Sequence, residues 1–363
     1  MSEKYLITSR FEDGAQFQFE CGEDENILAA ALRQDVRLLC QCKKAFCGSC
    51  KAECTEGDYE FGERINVQVL PPNEEEDGIV VTCDTFPRSD LVLEFPYTSD
   101  RLGLCTVAEI SAKVVSVERL STTVYRLVLQ SIDPTNGAPQ RFDFEPGQYV
   151  EIGLPGTDDT RAFSLANLPN DEGILEFLIR LVPGGRFAAY LEDGAAPGQV
   201  LNLRGPLGEF TFVGTNGAHR PVDDFRLHAN GTVQAFIGGS TGLAPLVSML
   251  RELARRDYPG ECHLFFGMQD SATMFYEQEL RELAHAMPGL TLHLALMDPP
   301  EGWTGFTGNA VVAFEQWFTA SAQRPEVYLC GPAPMVEAAR ACCTRLGIPA
   351  EHVHREEFVA SGG

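Results

Sequence analysis

Three cysteines within residues 42–50 restrict this chain more than any other stretch in it. Cys42-Lys43-Lys44-Ala45-Phe46-Cys47-Gly48-Ser49-Cys50 spaces them C-x4-C-x2-C, and Cys83 follows 33 positions later in Val80-Val81-Thr82-Cys83-Asp84. Four thiolates so arranged can wrap one small metal centre, with three ligands from a tight loop and the fourth from a neighbouring segment. The spacing is that of [2Fe–2S] ligands, one thiolate pair per iron. A structural zinc also accepts four cysteines, but it usually pairs them as two short knuckles. Iron–sulfur is therefore favoured over zinc. Cys40 and Cys54 flank the loop without satisfying the spacing and are read as bystanders. A cluster that moves single electrons needs a supplier, and the remaining chain has to provide one.

Composition narrows the setting. The start, Met1-Ser2-Glu3-Lys4-Tyr5-Leu6, lacks the apolar core of a signal peptide. No apolar run approaches the ~20 residues that span a bilayer. A soluble, cytoplasmic protein without a membrane partner is expected. In that reducing setting the 12 cysteines, seven of them before residue 84, read as ligands or buried thiols rather than disulfides. A net charge of −24 argues against nucleic acid or an anionic membrane as partner. Residues 1–98 hold 20 Asp and Glu against 9 Lys and Arg. That excess is either a well-solvated surface or a docking face for a basic patch on an electron acceptor. The seven histidines show no close pairing in sequence, so a Rieske-type or histidine metal site has no support.

At 363 residues the chain is expected to form two or three domains. Residues 4–20 alternate as a β-hairpin would, with Asp13-Gly14 as its turn. Residues 26–33 read as a short helix, 67–70 as a strand, 71–78 as an acidic turn and 91–95 as a strand. These make an α+β unit over 1–98. Period-two segments at 124–130, 147–154, 174–180 and 200–204 are separated by turn residues, which predicts a small antiparallel β-barrel over 107–213. Residues 214–232 form a long polar connector, expected to be mobile. From Val233 to Gly363 the rhythm becomes strand, glycine turn, helix, the pattern of an α/β parallel sheet.

Several short motifs sit on this frame. Arg161-Ala162-Phe163-Ser164-Leu165-Ala166-Asn167 matches the R-x-[YF]-S-x-x-N signature of ferredoxin reductase-type flavin domains. In it an aromatic ring can cover the isoalloxazine, a hydroxyl can reach its N5 edge, and an arginine can neutralise the pyrophosphate. Standing alone, it would be an ordinary strand with an exposed arginine. It is flanked, however, by Phe144-Glu145-Pro146-Gly147-Gln148-Tyr149 and by Arg204-Gly205-Pro206-Leu207-Gly208, both placed as in such barrels. Gly184-Gly185-Arg186-Phe187-Ala188 stands where these domains bind the FAD pyrophosphate on backbone N–H groups at a helix start. Relatives often have serine at the position of Ala188. Gly238-Gly239-Ser240-Thr241-Gly242-Leu243-Ala244-Pro245 lacks the G-x-G-x-x-G fingerprint and resembles instead the glycine turn of reductase-type nicotinamide domains. Cys330-Gly331-Pro332-Ala333-Pro334-Met335 matches their C-G-P-x-x-M, whose cysteine lies beside the nicotinamide. Taken alone, Cys330 would more often be a small buried hydrophobe. Phe358 stands where relatives place an aromatic residue over the flavin. Asp270 ends the second predicted strand with no arginine beside it for a 2′-phosphate, which favours NADH.

The order of the three predicted domains resembles the reductase components of bacterial multicomponent monooxygenases, above all those of soluble methane and short-chain alkane monooxygenases. Glu56-Gly57-Asp58-Tyr59, residues 67–78, Thr85-Phe86-Pro87-Arg88 and Pro96-Tyr97-Thr98 carry the likeness most clearly. Ala45-Phe46, where relatives often have glycines, is a departure. The resemblance implies a plant-type ferredoxin domain, an FAD barrel and a nicotinamide domain. Its cluster ligands would be Cys42, Cys47, Cys50 and Cys83. Arg161, Phe163, Ser164, Asn167, Gly185, Arg186, Phe187 and Phe358 would bind FAD, and Gly238, Gly239, Gly242, Pro245, Cys330 and Gly331 the nicotinamide dinucleotide. Ser164 and Cys330 would be catalytic. NADH gives up two electrons together and the cluster accepts one at a time, so FAD would stand between them and split the pair. A separate hydroxylase with a di-iron centre would receive the electrons. A reductase for an aromatic-ring dioxygenase or phenol hydroxylase is the alternative.

Overall fold

In the computed structural model, which describes residues 3–40, 45, 48–65, 69–99, 102, 108–157, 159–208, 210–212, 233–321 and 324–358 apart from the side chains of Ala108, Glu357 and Phe358, the N-terminal alternation forms the expected hairpin. β1 (Lys4–Phe11) pairs antiparallel with β2 (Gln16–Gly22) around Gly14 at φ 80°. From Ile7 on, every second side chain of β1 (Ile7, Ser9 and Phe11) is buried. α1 (Ile27–Arg33) begins where Asn26 Oδ1 accepts the Ala29 N–H at 2.9 Å, an N-cap. β3 (Lys51–Glu56), β4 (Tyr59–Phe61), α2 (Pro72–Glu76), β5 (Ile79–Val81), β6 (Thr85–Pro87) and β7 (Leu91–Phe95) follow. The described strands form a sheet in the order β2-β1-β7-β3-β5, with β4 paired to β6. α2 replaces the acidic turn expected at 71–78. Pro72 presets the first helical φ, and Glu74 and Glu75 lie in the first turn, where carboxylates favour a helix start. The strand expected at 67–70 is not formed by its described part: Val69 and Leu70 bury their side chains in a turn, and 66–68 lie outside the described residues. This first compact unit comprises Met1–Ala108 with Leu207–Glu209.

The second unit, Glu109–Pro206 with Phe210–Gly363, contains two sheets. β8 (Ala108–Arg119), β9 (Val124–Ile132), β10 (Tyr149–Gly153), β11 (Thr160–Ser164), β12 (Ile174–Arg180) and β13 (Val200–Leu207) form the first, in the order β11-β10-β13-β8-β9-β12. Its edges meet where Leu165 bridges Phe177 and Ala166 N donates to Glu176 O at 2.8 Å, which closes a barrel. A four-residue helix, α3 (Arg186–Ala189), lies between β12 and β13.

The second sheet has the order β17-β16-β15-β14-β18-β19 and parallel pairing. Its strands are β14 (Gln234–Gly239), β15 (Cys262–Asp270), β16 (Leu290–Asp298), β17 (Phe306–Thr307), β18 (Glu326–Pro332) and β19 (Val353–Phe358). α4 (Leu243–Arg255), α5 (Glu277–Ala286), α6 (Ala310–Ala320) and α7 (Ala333–Arg345) connect them. β14 is buried on both faces, as expected of a central parallel strand. One apolar core runs from the barrel's Val124, Ala166, Leu178, Phe210 and Phe212 into α4, β15 and Tyr328. The connector expected at 214–232 lies outside the described residues. Among those residues no helix is long and apolar enough to cross a membrane.

Candidate functional site

In the first unit the β3·β5 ladder pairs Lys51 with Val81 and so carries Cys83 alongside Cys50. Thr82 fastens them: its backbone N–H and hydroxyl both donate to Cys50 O, at 3.1 and 3.0 Å. Thirty-three residues of separation are closed by one antiparallel pairing. Ala45 N donates to Cys83 Sγ at 3.2 Å, a contact that favours a negatively charged sulfur. Ala45 is fully buried and takes φ 55°, the left-handed conformation that glycine adopts most readily. Cys54, packed at the margin of the same core, donates its thiol to Glu56 O at 3.4 Å. Cys42 and Cys47 lie outside the described residues. Two buried thiols brought together beneath an amide donor fit the four-thiolate set read from the sequence.

The flavin motif occupies β11 and the turn after it. Ser164 is buried, and its hydroxyl donates to Glu356 Oε2 at 3.4 Å. Glu356 stands opposite Cys330 in the β18·β19 register. Three distant segments thus place a hydroxyl, a carboxyl and a thiol together. As a residue Glu356 is half-buried, while its carboxyl is enclosed by protein, and this desolvation pushes its pKa up to about 8. Residual solvent access softens that shift without reversing it. Burial raises the Cys330 thiol well above its ordinary range, and Glu356 adds to the effect, so Cys330 is a neutral thiol. Sequence reading missed Glu356. The available signal was the Glu356-Glu357 doublet, since alternation turns one of two adjacent strand residues inward.

Phe163 and Phe187 meet at 4.7 Å between ring centroids and join the flavin motif to the glycine turn before α3. Arg161 donates to its neighbour Thr160 O at 2.8 Å, and the exposed Arg186 pairs with Asp159 at 2.6 Å. These cations suit a pyrophosphate on a chain this acidic. Behind Gly185 the helical backbone of α3 continues without a break into a π-helical turn over Tyr190–Gly194. Asn167 turns inward. Its amide donates to Leu168 O and Ile174 O and accepts from Glu176 N, fixing the turn between β11 and β12.

The glycines after β14 answer to packing. A Cβ on Gly242 would strike the Cys330 carbonyl, and one on Gly239 would lie 2.5 Å from Met335 Sδ. Ser240 between them takes φ 52°. Pro245 is buried in the first turn of α4, and Gly331 is buried beside Gly239. The turn and the Cys-Gly-Pro segment are therefore one packed body. Gly242→Ala should cost roughly 1–3 kcal/mol through overpacking against backbone, read as a lower thermal midpoint than for Gly137→Ala, where the added Cβ meets nothing within 4 Å but φ is 72°.

Elsewhere the fold makes a pair that the sequence did not show. His263 Nδ1 and His293 Nε2 lie 3.1 Å apart on adjacent strands. Burial lowers both, His293 to about 4, so they form a neutral hydrogen-bonded pair stacked on Phe265. Asp270 Oδ1 accepts from Thr273 N and Oγ1 at 2.9 and 3.0 Å, which holds its carboxylate at the end of β15.

Three family models match in sequence order: a 2Fe-2S iron-sulfur cluster binding domain over residues 10–88, an oxidoreductase FAD-binding domain over 111–212 and an oxidoreductase NAD-binding domain over 236–341. The chain is 39% identical over 309 residues to methane monooxygenase component C of Methylosinus trichosporium, covering 85% of each. It belongs to the reductase components of bacterial multicomponent monooxygenases. The reductase is also 32% identical to the propane 2-monooxygenase reductase component of Rhodococcus jostii (strain RHA1), covering 94% of the chain and 89% of that protein. Among solved structures it resembles the Amycolatopsis cytochrome P450 reductase GcoB, with a TM-score of 0.74 and 28% identity over 97% of this chain and 98% of that one. The reductase is an iron–sulfur flavoprotein oxidoreductase whose cofactors are a [2Fe–2S] cluster, FAD and a nicotinamide dinucleotide.

Proposed function

We propose that this reductase takes electrons from NADH and passes them singly to a separate, di-iron hydroxylase of the methane or short-chain alkane monooxygenase class, in the cytoplasm. The observation that carries the redox reading is the meeting of Ser164, Glu356 and Cys330. The likeness to methane monooxygenase component C supports the partner. We assign 1–98, 107–213 and 233–363 to the three domains. Cys42, Cys47, Cys50 and Cys83 would hold the cluster. Arg161, Phe163, Ser164, Gly185, Arg186, Phe187 and Phe358 would hold FAD, with Asn167 acting through the turn it fixes. When bound, FAD supplies the exchange between a two-electron donor and the one-electron cluster.

The chain's own residues orient and protonate. Below about pH 8 Glu356 is neutral, so the hydroxyl of Ser164 sits beside a carboxylic acid rather than a carboxylate. A carboxylic acid there can itself donate to Ser164 Oγ, which would free the hydroxyl proton for the N5 edge of an oxidised flavin. Neutral Cys330 offers a small apolar wall held by Gly242 against the nicotinamide. Asp270, fixed by Thr273 at the end of β15, would repel a 2′-phosphate bound beside it, which supports NADH over NADPH.

Ser164→Ala should slow flavin reduction by NADH about 10²-fold, the usual scale for losing one aimed donor; an unchanged stopped-flow rate would remove the assignment. The deciding experiment is an anaerobic NADH titration followed by visible absorption and EPR, with NADPH in parallel. Both flavin and [2Fe–2S] signals should bleach with NADH first. Purified hydroxylases then separate the partners: electron uptake by an aromatic-ring dioxygenase or phenol hydroxylase, and not by an alkane hydroxylase, would overturn the di-iron alkane reading.

A further inference from the structure

α4 grips the flavin motif by its backbone. Ser248, fully buried, donates its hydroxyl to Asn167 O at 2.7 Å. Arg251, one turn on and on the same helix face, donates from Nη1 to Ala166 O at 2.8 Å. Ala166 and Asn167 follow Ser164 directly after Leu165. The other end of α4 is equally fixed, because Gly242 is seated on the Cys330 carbonyl. Cys330 and Ser164 are therefore joined through one rigid helix with a packed contact at one end and two hydrogen bonds at the other.

The guanidinium is aimed rather than merely placed. Glu176 Oε2 of β12 accepts from Nη1 at 2.9 Å, and the Tyr276 hydroxyl accepts from Nη2 at 2.9 Å while donating to Glu176. Tyr276 takes φ 65°, a conformation that costs an aromatic residue on the order of 1–3 kcal/mol and persists only where its surroundings fix it. Arg126 of β9 adds an outer link, 3.6 Å from Glu279 and 3.9 Å from Glu176. Burial opposes the charge on Arg251, and Tyr276 and Glu176 more than offset it. Barrel stability alone does not call for this arrangement, since the Ala166 N–H already closes the barrel on Glu176 O.

We propose that Ser248 and Arg251 are positioning residues which set the distance between the flavin edge at Ser164 and the nicotinamide side at Cys330. Resting on the flavin and nicotinamide assignments made above, this makes the rate of NADH oxidation depend on the carbonyls of Ala166 and Asn167 being held. The transfer itself is balanced: the two electrons and proton that leave NADH arrive on FAD, and nothing else is consumed. An error near 1 Å in such a reaction costs up to about 10²-fold.

The test uses full-length reductase carrying FAD and cluster, as wild type, Ser248→Ala and Arg251→Lys. Lysine keeps the charge for Glu176 but lacks the planar fork whose two nitrogens reach Ala166 O and the Tyr276 hydroxyl separately. Anaerobic stopped-flow with saturating NADH should show the limiting rate of flavin reduction falling roughly tenfold in each variant. KM for NADH and the FAD dissociation constant should stay within about twofold of wild type. Independently of activity, hydrogen exchange on the apoprotein should rise at residues 165–177 in both variants. Faster exchange with an unchanged limiting rate would make the grip merely structural and overturn the proposal. So would a rate loss matched by an equal loss of FAD affinity. If Arg251→Lys does not fold, Ser248→Ala decides. Failure of NADH to reduce the wild type would instead overturn the redox assignment, which the exchange measurement does not address.

Discussion

Replacing Cys50 with alanine is expected to abolish electron delivery to the hydroxylase while leaving NADH-driven reduction of ferricyanide close to wild type. Cys50 is buried immediately before β3, and its carbonyl takes both hydrogen bonds from Thr82 that bring Cys83 alongside. The substitution keeps this backbone arrangement and removes one thiolate of four. A [2Fe–2S] centre with three thiolates loses its ligand pair on one iron. Ferricyanide can draw electrons from the flavin domain, upstream of the cluster. The variant should therefore lack the cluster's visible and EPR signals, retain bound FAD, and lose hydroxylase turnover to background. Cys54→Ala, removing a thiol that hydrogen-bonds only to Glu56 O among described partners, should keep both activities. Parallel loss of dye reduction and hydroxylase turnover in Cys50→Ala would mean that the cluster is not the exit port.

The second large effect belongs to Glu356. Its carboxyl is raised from 4.5 to about 8 by desolvation, opposed by the Ser164 hydrogen bond. In the unfolded chain the group gives up its proton near pH 4.5; in the folded protein it keeps it to about pH 8. The stabilising contribution is therefore whole below 4.5 and is lost progressively as pH rises through about 8, because the unfolded state then binds fewer protons. The loss is of the order of a few kcal/mol at most, reduced by the partial solvent access of Glu356. Glu356→Gln preserves size and an acceptor for Ser164 but has nothing to ionise. The apoprotein variant should match wild type near pH 5 and exceed it in thermal midpoint near pH 8. Subtracting the two pH profiles isolates this group from every ionisable group that the two proteins share. A difference profile that is flat from pH 5 to 8 would show that Glu356 is ionised throughout.

Local rules carried the elements that bury one face or end on a recognisable signal. The hairpin read at 4–20, the helix read at 26–33 and the strand at 174–180 appear where alternation and apolar runs put them. Residues 71–78 did not, because Pro72 and the carboxylates after it suit both a turn and a first helical turn, and only neighbouring structure chooses. The same limit holds at the site. The spacing of Cys42, Cys47, Cys50 and Cys83, and the motifs around Ser164 and Cys330, are properties of sequence and declare their chemistry there. Glu356 beside Ser164, Arg251 on Ala166 O and His263 against His293 join residues 192, 85 and 30 positions apart. Their meeting depends on strand register and on one helix lying across a barrel turn, which no local pattern encodes. By itself, then, the sequence determined three domains and their cofactors, and its cysteine spacing is what proposes the cluster's ligand set. Only the tertiary structure decided which carboxyl is buried beside Ser164 and which helix joins the turn after Ser164 to the Cys330 segment, because burial and register arise only when distant segments pack.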